Sequence, residues 1–183
     1  MTVIHLTNAR LIDPEAAEAI LRQDLPPSQH NSTSDDYQDG DGNDVHSRYQ
    51  RYSGNALVID KWFTLQALSL HPDVIAQVRA LAEHPDFTLR NPNRVRSLYM
   101  AFAGNPQGFH AADGSGYRMI ADVILTLDPV NPQTAAKFVP SLGRWRRLEP
   151  GRAALMKGEL ERIMAAGNLS RDTFEQVSRS LEG

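Results

Sequence analysis

The six histidines are the residues with the clearest capacity for chemistry, because a neutral imidazole can bind a metal ion or move a proton near neutral pH. They are His5, His30, His46, His71, His84 and His110. A zinc-hydrolase helix of the H-E-x-x-H type needs two histidines four residues apart, so that both face one metal ion. None of the six has a second histidine four residues later. The sequence therefore predicts no catalytic residue of this type and no bound metal or other cofactor in this chain.

An acidic, glycine-containing tract is the next candidate, since carboxylate oxygens are the ligands that calcium prefers. It reads Asp39-Gly40-Asp41-Gly42-Asn43-Asp44. An EF-hand loop places a glycine at its centre and closes with a glutamate. This tract has neither feature. We therefore interpret it as a solvated linker, with a cation site as the lesser alternative.

A short glycine-containing loop, Asp113-Gly114-Ser115-Gly116, could be taken for a phosphate-binding loop or for the position of a nucleophilic serine. A P-loop is longer and carries a Lys-Ser or Lys-Thr pair after a strand. Ser115 also lacks a histidine and an acid in a plausible triad order. We expect Asp113 or Ser115 to cap a helix instead.

Four arginines surround a tryptophan near the end of the chain, at Arg144, Arg146, Arg147 and Arg152 around Trp145. Basic residues interleaved with an aromatic can bind nucleic acid. Glu149 interrupts the cluster, and the 183-residue chain has a net charge of -3. We favour a solvated helix end, with arginines near the negative pole of a helix dipole, and we expect no nucleic-acid partner.

The composition favours a single domain with an extension. Hydrophobic residues make up 41% of the chain, which is enough for a core, and there is no cysteine. The lack of cysteine excludes disulfides, thiolate metal sites and cysteine nucleophiles. No apolar run approaches the roughly 20 residues of a membrane-spanning helix, and the start lacks the pattern of a secretory signal. We expect a cytoplasmic protein with no membrane partner.

The elements that must position any site are predicted from hydrophobic spacing and from helix caps. Residues 2–7 resemble a strand and residues 13–22 a short helix, while residues 1–44 as a whole form a largely disordered extension. This extension is either a native linker or a segment foreign to the domain. From residue 56 onward about seven short helices follow, punctuated by Asn91-Pro92, Asn105-Pro106 and Asn131-Pro132. The predicted fold class is all-α, with antiparallel helix pairs stacked as an α-solenoid.

Five sequence blocks, in this order, resemble one known protein domain. They begin with Leu57-Val58-Ile59-Asp60-Lys61-Trp62-Phe63 and continue with Asn91-Pro92-Asn93-Arg94-Val95-Arg96, then Phe109-His110-Ala111-Ala112-Asp113-Gly114, Asn131-Pro132-Gln133 and Asn168-Leu169-Ser170. Together they are similar to the C-terminal helical, ARM-like domain of bacterial aminopeptidase N, in the M1 family of zinc metallopeptidases. The resemblance covers about residues 45–183, which we take as the domain.

The resemblance implies a function without catalysis. In that family zinc is held by a different domain, which carries H-E-x-x-H and a Gly-x-Met-Glu-Asn loop, and this chain has neither. The helical domain closes the cavity of an enzyme that removes N-terminal residues from peptides. The cavity-lining residues that the resemblance implies are Arg96, Gln133 and Lys137. The alternatives are a structural arginine that bridges neighbouring helices and, for Gln133, a cap at the helix surface. Lys137 stands where relatives often carry arginine, which keeps the charge but loses the bidentate fork.

Two readings of the function follow. In the first, the chain is a fragment of an aminopeptidase N, and its partners are the catalytic portion of that enzyme and, through it, peptides. In the second, it is a standalone helical scaffold that binds another protein. Both predict an exposed apolar face near Leu57 to Phe63, where preceding helical repeats would pack. For Arg94 and Arg96, two residues apart on a helix, we expect one internal ion pair and one cavity-facing side chain.

Overall fold

The computed structural model describes residues 55–182. The strand expected at residues 2–7, the helix expected at residues 13–22 and the disorder expected for residues 1–44 fall outside that range. Within it, the regular secondary structure is entirely helical, which confirms the all-α prediction. None of the helices in this range is long and apolar enough to cross a membrane.

Eight helices follow one another through the described residues. Their bounds are α1 Ala56–Ala67, α2 Val74–Ala82, α4 Pro106–Phe109, α5 Ser115–Leu127, α6 Pro132–Leu142, α7 Pro150–Ala165 and α8 Arg171–Glu182. The third helix, α3, has three consecutive parts: Pro92–Val95, a π-helical turn at Arg96–Met100, and Ala101–Ala103. A 3-10 turn, Trp145–Arg147, connects α6 to α7.

The Asn-Pro pairs start helices as predicted. In each pair the proline is the first residue of its helix, where its missing N–H costs nothing. The asparagine side chain accepts hydrogen bonds from backbone N–H groups of the first turn, which have no partner within the helix. This is seen at Asn91, Asn105 and Asn131.

Packing extends beyond sequence neighbours. Helix α1 contacts α2 and α3, α5 contacts α6 and α7, and α8 contacts α6 and α7. The short helix α4 contacts both α3 and α5 and so connects the two ends of the domain. Contacts with the next helix and the next but one are expected of stacked helix pairs. One continuous apolar core runs from Ile59 in α1 to Val177 in α8.

Apolar residues at helical spacing predict the core faces of α3 and α5, and the structure confirms both. In both, every apolar residue at the predicted helical spacing is buried: Val95, Leu98, Tyr99 and Phe102 in α3, and Met119, Ile120, Val123, Ile124 and Leu127 in α5.

Other predicted details are wrong. The exposed apolar face expected near Leu57 to Phe63 is largely absent, because Ile59, Trp62 and Phe63 are all buried. The rings of Trp62, His84 and Phe87 pack around that of Phe63. Leu57 remains 74% exposed. The pair His71-Pro72 predicts a helix start at the proline. Helix α2 begins instead at Val74, after a turn in which the Val74 N–H donates to the His71 carbonyl.

In the last helix, the spacing of Phe174, Val177 and Leu181 predicts one apolar core face, and this prediction is only partly correct. Val177 is buried, but Phe174, which shares the predicted apolar spacing, is 51% exposed. The polar Thr173 takes a buried position beside it. Its hydroxyl donates to the buried Asp128 carboxylate at 2.6 Å, and this bond fixes the rotation of α8 about its axis.

Candidate functional site

A groove of about 520 Å³ lies between α3, α4 and α6, and it is the best candidate for a binding site in the described part of the chain. Its apolar surface comes from Met100 and Ala103 of α3, Phe109 of α4 and Leu148 after the 3-10 turn. Volumes of this order are typical of sites for small molecules. The groove is therefore large enough for a small ligand that has an apolar part.

The polar surface of the groove is cationic. Lys137, Arg144 and Arg147 line it together with His110 and Ser141. No carboxylate is among the lining residues. Lys137, Arg144 and Arg147 are all exposed, and within residues 55–182 none of them forms an ion pair. Unpaired cations on one surface attract an anion.

Helix α6 places Lys137 in the groove because its opposite face is committed to the core. Ala135, Phe138, Val139 and Leu142 are buried, so Lys137 must point outward. Ser141 follows Lys137 by one turn and lies on the same face. The exposed Gln133 precedes Lys137 by one turn and lies outside this groove.

The 3-10 turn places Arg144 and Arg147 together. Residues three apart in a 3-10 helix lie directly above one another, and the Arg147 N–H donates to the Arg144 carbonyl at 3.0 Å. Trp145 Nε1 anchors the turn by donating to the carbonyl of Ser180 at 3.0 Å.

Arg146 packs against Trp145 and α8, unlike Arg144 and Arg147, which line the groove. Its guanidinium lies 4.1 Å from the centroid of the Trp145 ring. Its nitrogens donate to the carbonyls of Ser180 and Leu181, at the C-terminal end of α8. This contact agrees with the prediction that the arginine cluster lies near the negative pole of a helix. The cluster thus divides into structural residues and the two arginines that line the groove.

His110 lies in the groove, a position that its spacing from the other histidines does not predict. Its Nδ1 lies 2.7 Å from the hydroxyl of the buried Tyr117. Burial lowers the pKa of His110, and the positive charge of Arg152 lowers it further. Arg152 Nε also donates to the His110 carbonyl at 3.0 Å. His110 therefore contributes a neutral ring to the groove at neutral pH.

Arg94 makes the internal charge contact expected of one of the two arginines, while the cavity-facing role expected of Arg96 stays a prediction. Arg94 is buried, with Nη1 3.1 Å from Asp60 Oδ1 in a charge contact that lacks hydrogen-bond geometry. Its guanidinium also lies over the Phe63 ring. Arg96 is exposed and donates to the Asn93 side chain. It lies four residues before Met100, outside the groove.

The glycine loop before α5 acts as a helix start. Asp113 Oδ1 accepts from the Ser115 N–H at 3.0 Å and from its hydroxyl at 2.6 Å. These bonds lower the pKa of Asp113, since they favour its charged form. Gly114 adopts φ +72°, a conformation that favours glycine. The prediction that Asp113 or Ser115 is the cap residue is therefore wrong: the N-cap is Gly114, and Asp113, one residue earlier, accepts from the first N–H of the helix.

Across residues 55–182, no group of three histidine, cysteine, aspartate or glutamate side chains is placed to hold a metal ion. His5, His30 and His46 and the Asp39–Asp44 tract lie outside the described residues. The described residues therefore do not fit a zinc site.

Comparison with known proteins gives three consistent findings. Residues 35–182 match a family described as a domain of unknown function with ARM repeats, DUF3458_C. Aminopeptidase N of Caulobacter vibrioides is 45% identical over 138 residues, and that of Escherichia coli is 43% identical over 132 residues. These matches cover 75% and 72% of this chain, but only 16% and 15% of the relatives, so the chain spans about a sixth of their length.

A solved structure agrees with these sequence matches. The crystal structure of Legionella pneumophila aminopeptidase A in complex with aspartic acid aligns with a TM-score of 0.73 and 35% identity. The alignment covers 75% of this chain and 16% of that one.

Proposed function

We propose that this chain, which belongs to the DUF3458_C family of ARM-repeat domains, forms a non-catalytic wall of the active-site cavity of an aminopeptidase N. It is homologous to the C-terminal helical domain of that enzyme. The proposed role is to pack against the catalytic portion and to close the cavity in which the N-terminal residue of a peptide is removed. The compartment we propose is the cytoplasm, in keeping with a chain that has no cysteine.

The observation that carries this proposal is the match of three quarters of this chain to about a sixth of each relative. A segment of that size is one domain of a larger enzyme. Its described residues offer a cationic groove and do not fit a metal ion. Zinc, the cofactor proposed for the parent enzyme, would therefore be held outside the described residues. The chain contributes shape and charge to the cavity.

Three exposed side chains are proposed to line that cavity: Arg96, Gln133 and Lys137. Lys137 already lines the groove, and Gln133 extends the same face of α6 by one turn. Arg96 is exposed on the helix that forms the opposite wall. Their contribution would be polar contact with the substrate beyond the bond that is cleaved.

This role can be measured in a chimera of Caulobacter vibrioides aminopeptidase N that carries residues 45–183 of this chain in place of its own matching segment. We expect Lys137→Ala to lower kcat/KM for a tripeptide by about tenfold, equivalent to about 1.4 kcal/mol, with an unchanged melting temperature. Arg96→Ala and Gln133→Ala should act in the same direction with smaller effects. Exposed Arg79 on α2 supplies the control, because Arg79→Ala removes a charge outside the groove.

Unchanged kinetics in all three variants would contradict the proposed cavity-lining role. If the melting temperature fell at the same time, the residues would have a structural role only. An equal loss in Arg79→Ala would indicate a general effect of surface charge.

A further inference from the structure

We infer that Lys137, Arg144 and Arg147 form a subsite for the free C-terminal carboxylate of a short peptide. The inference rests on the proposed function for the identity of the ligand, and it extends that function to two arginines and to one chemical group of the substrate. The groove geometry and its charges support it directly.

The first support is the arrangement of the charges. Arg144 and Arg147 lie on one side of a 3-10 turn, and Lys137 comes from the adjacent helix α6. Two exposed arginines of α7 and α8, Arg162 and Arg171, have carboxylate partners at 2.6 to 2.9 Å, whereas the three cations of the groove have none within residues 55–182. Three unpaired cations around one groove repel one another, and an anion bound between them would relieve that repulsion. Two guanidinium groups can also bind a carboxylate through paired hydrogen bonds.

The second support is the rigidity of the turn. Trp145 Nε1 and two nitrogens of Arg146 all donate to carbonyls at the end of α8. The side chains of Arg146 and Lys157 also make cation–π contacts with the Trp145 ring. Arg144 and Arg147 therefore project from a fixed backbone, which reduces the entropy lost when they bind a ligand.

The third support is the apolar surface beside the charges. Met100, Phe109 and Leu148 line the same groove. A peptide carboxylate is attached to a carbon that carries a side chain, so a ligand with both an anion and an apolar group fits this combination. His110 adds a polar group: its Nδ1 is held by Tyr117, which leaves Nε2 as the ring nitrogen for a ligand. Inorganic phosphate would match the charge but would not use the apolar surface.

The test compares Ala-Ala-Phe as the free acid with the same peptide as its C-terminal amide. Both are titrated into the full 183-residue chain at low salt, and binding is followed by the amide NMR signals of Lys137, Ser141, Arg144 and Arg147. We expect the acid to bind at least about fivefold more tightly, because each exposed charge contact is worth up to about 1 kcal/mol. The preference should weaken at high salt.

Matched variants locate the effect. Arg144→Gln combined with Arg147→Gln should abolish the preference for the acid. Arg171→Gln should leave the preference intact, because the exposed Arg171 on α8 lies outside the groove. Equal binding of acid and amide, or no shift of the groove signals, would overturn the inference. Phosphate that binds as tightly as the acid would contradict the use of the apolar surface and reduce the site to a general anion site.

The outcome is separable from that of the proposed function, since the titration needs no catalytic portion. A preference for the acid, together with unchanged kinetics in the chimera variants, would keep the subsite and reject the cavity role. Loss of kcat/KM in the Lys137 variant, without any preference for the acid, would keep the cavity role and reject the subsite.

Discussion

Asn105→Asp is expected to destabilise the domain by about 4 kcal/mol or more, a large part of the 5–15 kcal/mol that holds a typical domain folded. Asn105 is fully buried. Its Nδ2 donates to the carbonyls of Ala67 at 3.0 Å and Ser69 at 2.7 Å, and its Oδ1 caps α4. Aspartate keeps the cap but places a second oxygen against two carbonyl oxygens. Two buried hydrogen bonds are lost, each worth about 1–3 kcal/mol once its partner is left unpaired.

Asn91→Asp is the matched control because Asn91 also precedes a proline and caps a helix. Its Oδ1 accepts from the Asn93 and Arg94 N–H groups, and its side chain lies nearer the surface. A carboxylate at a helix start is favourable, so stability should change by less than about 0.5 kcal/mol. Urea unfolding followed by circular dichroism measures both variants. Similar losses in the two would contradict the tertiary role assigned to Asn105.

Gly116→Ala is expected to destabilise the domain by about 3 kcal/mol, at the upper end of the usual effect of overpacking. A Cβ atom at Gly116 would lie 2.4 Å from the carbonyl oxygens of both Gly108 and Phe109. Both obstacles are backbone atoms of α4, so relief requires α4 and α5 to separate. That separation would strain the junction between the two ends of the core and the wall of the groove that Phe109 supplies.

Gly158→Ala provides a control with the opposite sign. Gly158 lies in the interior of α7, and a Cβ atom there would meet nothing within 4 Å. Alanine favours the helix over glycine by about 1 kcal/mol, so this variant should gain stability. Thermal unfolding distinguishes the two. A gain in Gly116→Ala would mean that α4 and α5 do not approach as closely as described.

The parts of the fold that depend on local chemistry could be predicted from the sequence. Asparagine before proline marked three helix starts correctly, because a cap and its helix are adjacent in the chain. The second function of Asn105 could not be predicted, since its carbonyl partners lie 36 and 38 residues away. Gly116 was interpreted as part of a helix start, and its close contact with α4 became visible only in three dimensions.

The residues of the groove could likewise be predicted only in part from the sequence. The family resemblance led us to expect Lys137 in the catalytic cavity, which stays a prediction, while the structure places Lys137 in the groove. Arg144 and Arg147 were interpreted only as part of a basic helix end, because their shared direction depends on a 3-10 turn that is anchored to α8. The spacing of His110 from the other histidines does not indicate a metal site. Its pairing with Tyr117, seven residues later, was the one local clue available.

The most direct test of the central claim is hydrolysis of a leucyl chromogenic amide, measured for three samples with and without added zinc. These are the purified chain, Caulobacter vibrioides aminopeptidase N that lacks its matching segment, and the two mixed. We predict no hydrolysis by the folded, helical chain alone, and more hydrolysis by the mixture than by the truncated enzyme. Zinc-dependent turnover by the chain alone, surviving rigorous removal of host peptidases, would contradict the claim that it is a non-catalytic wall.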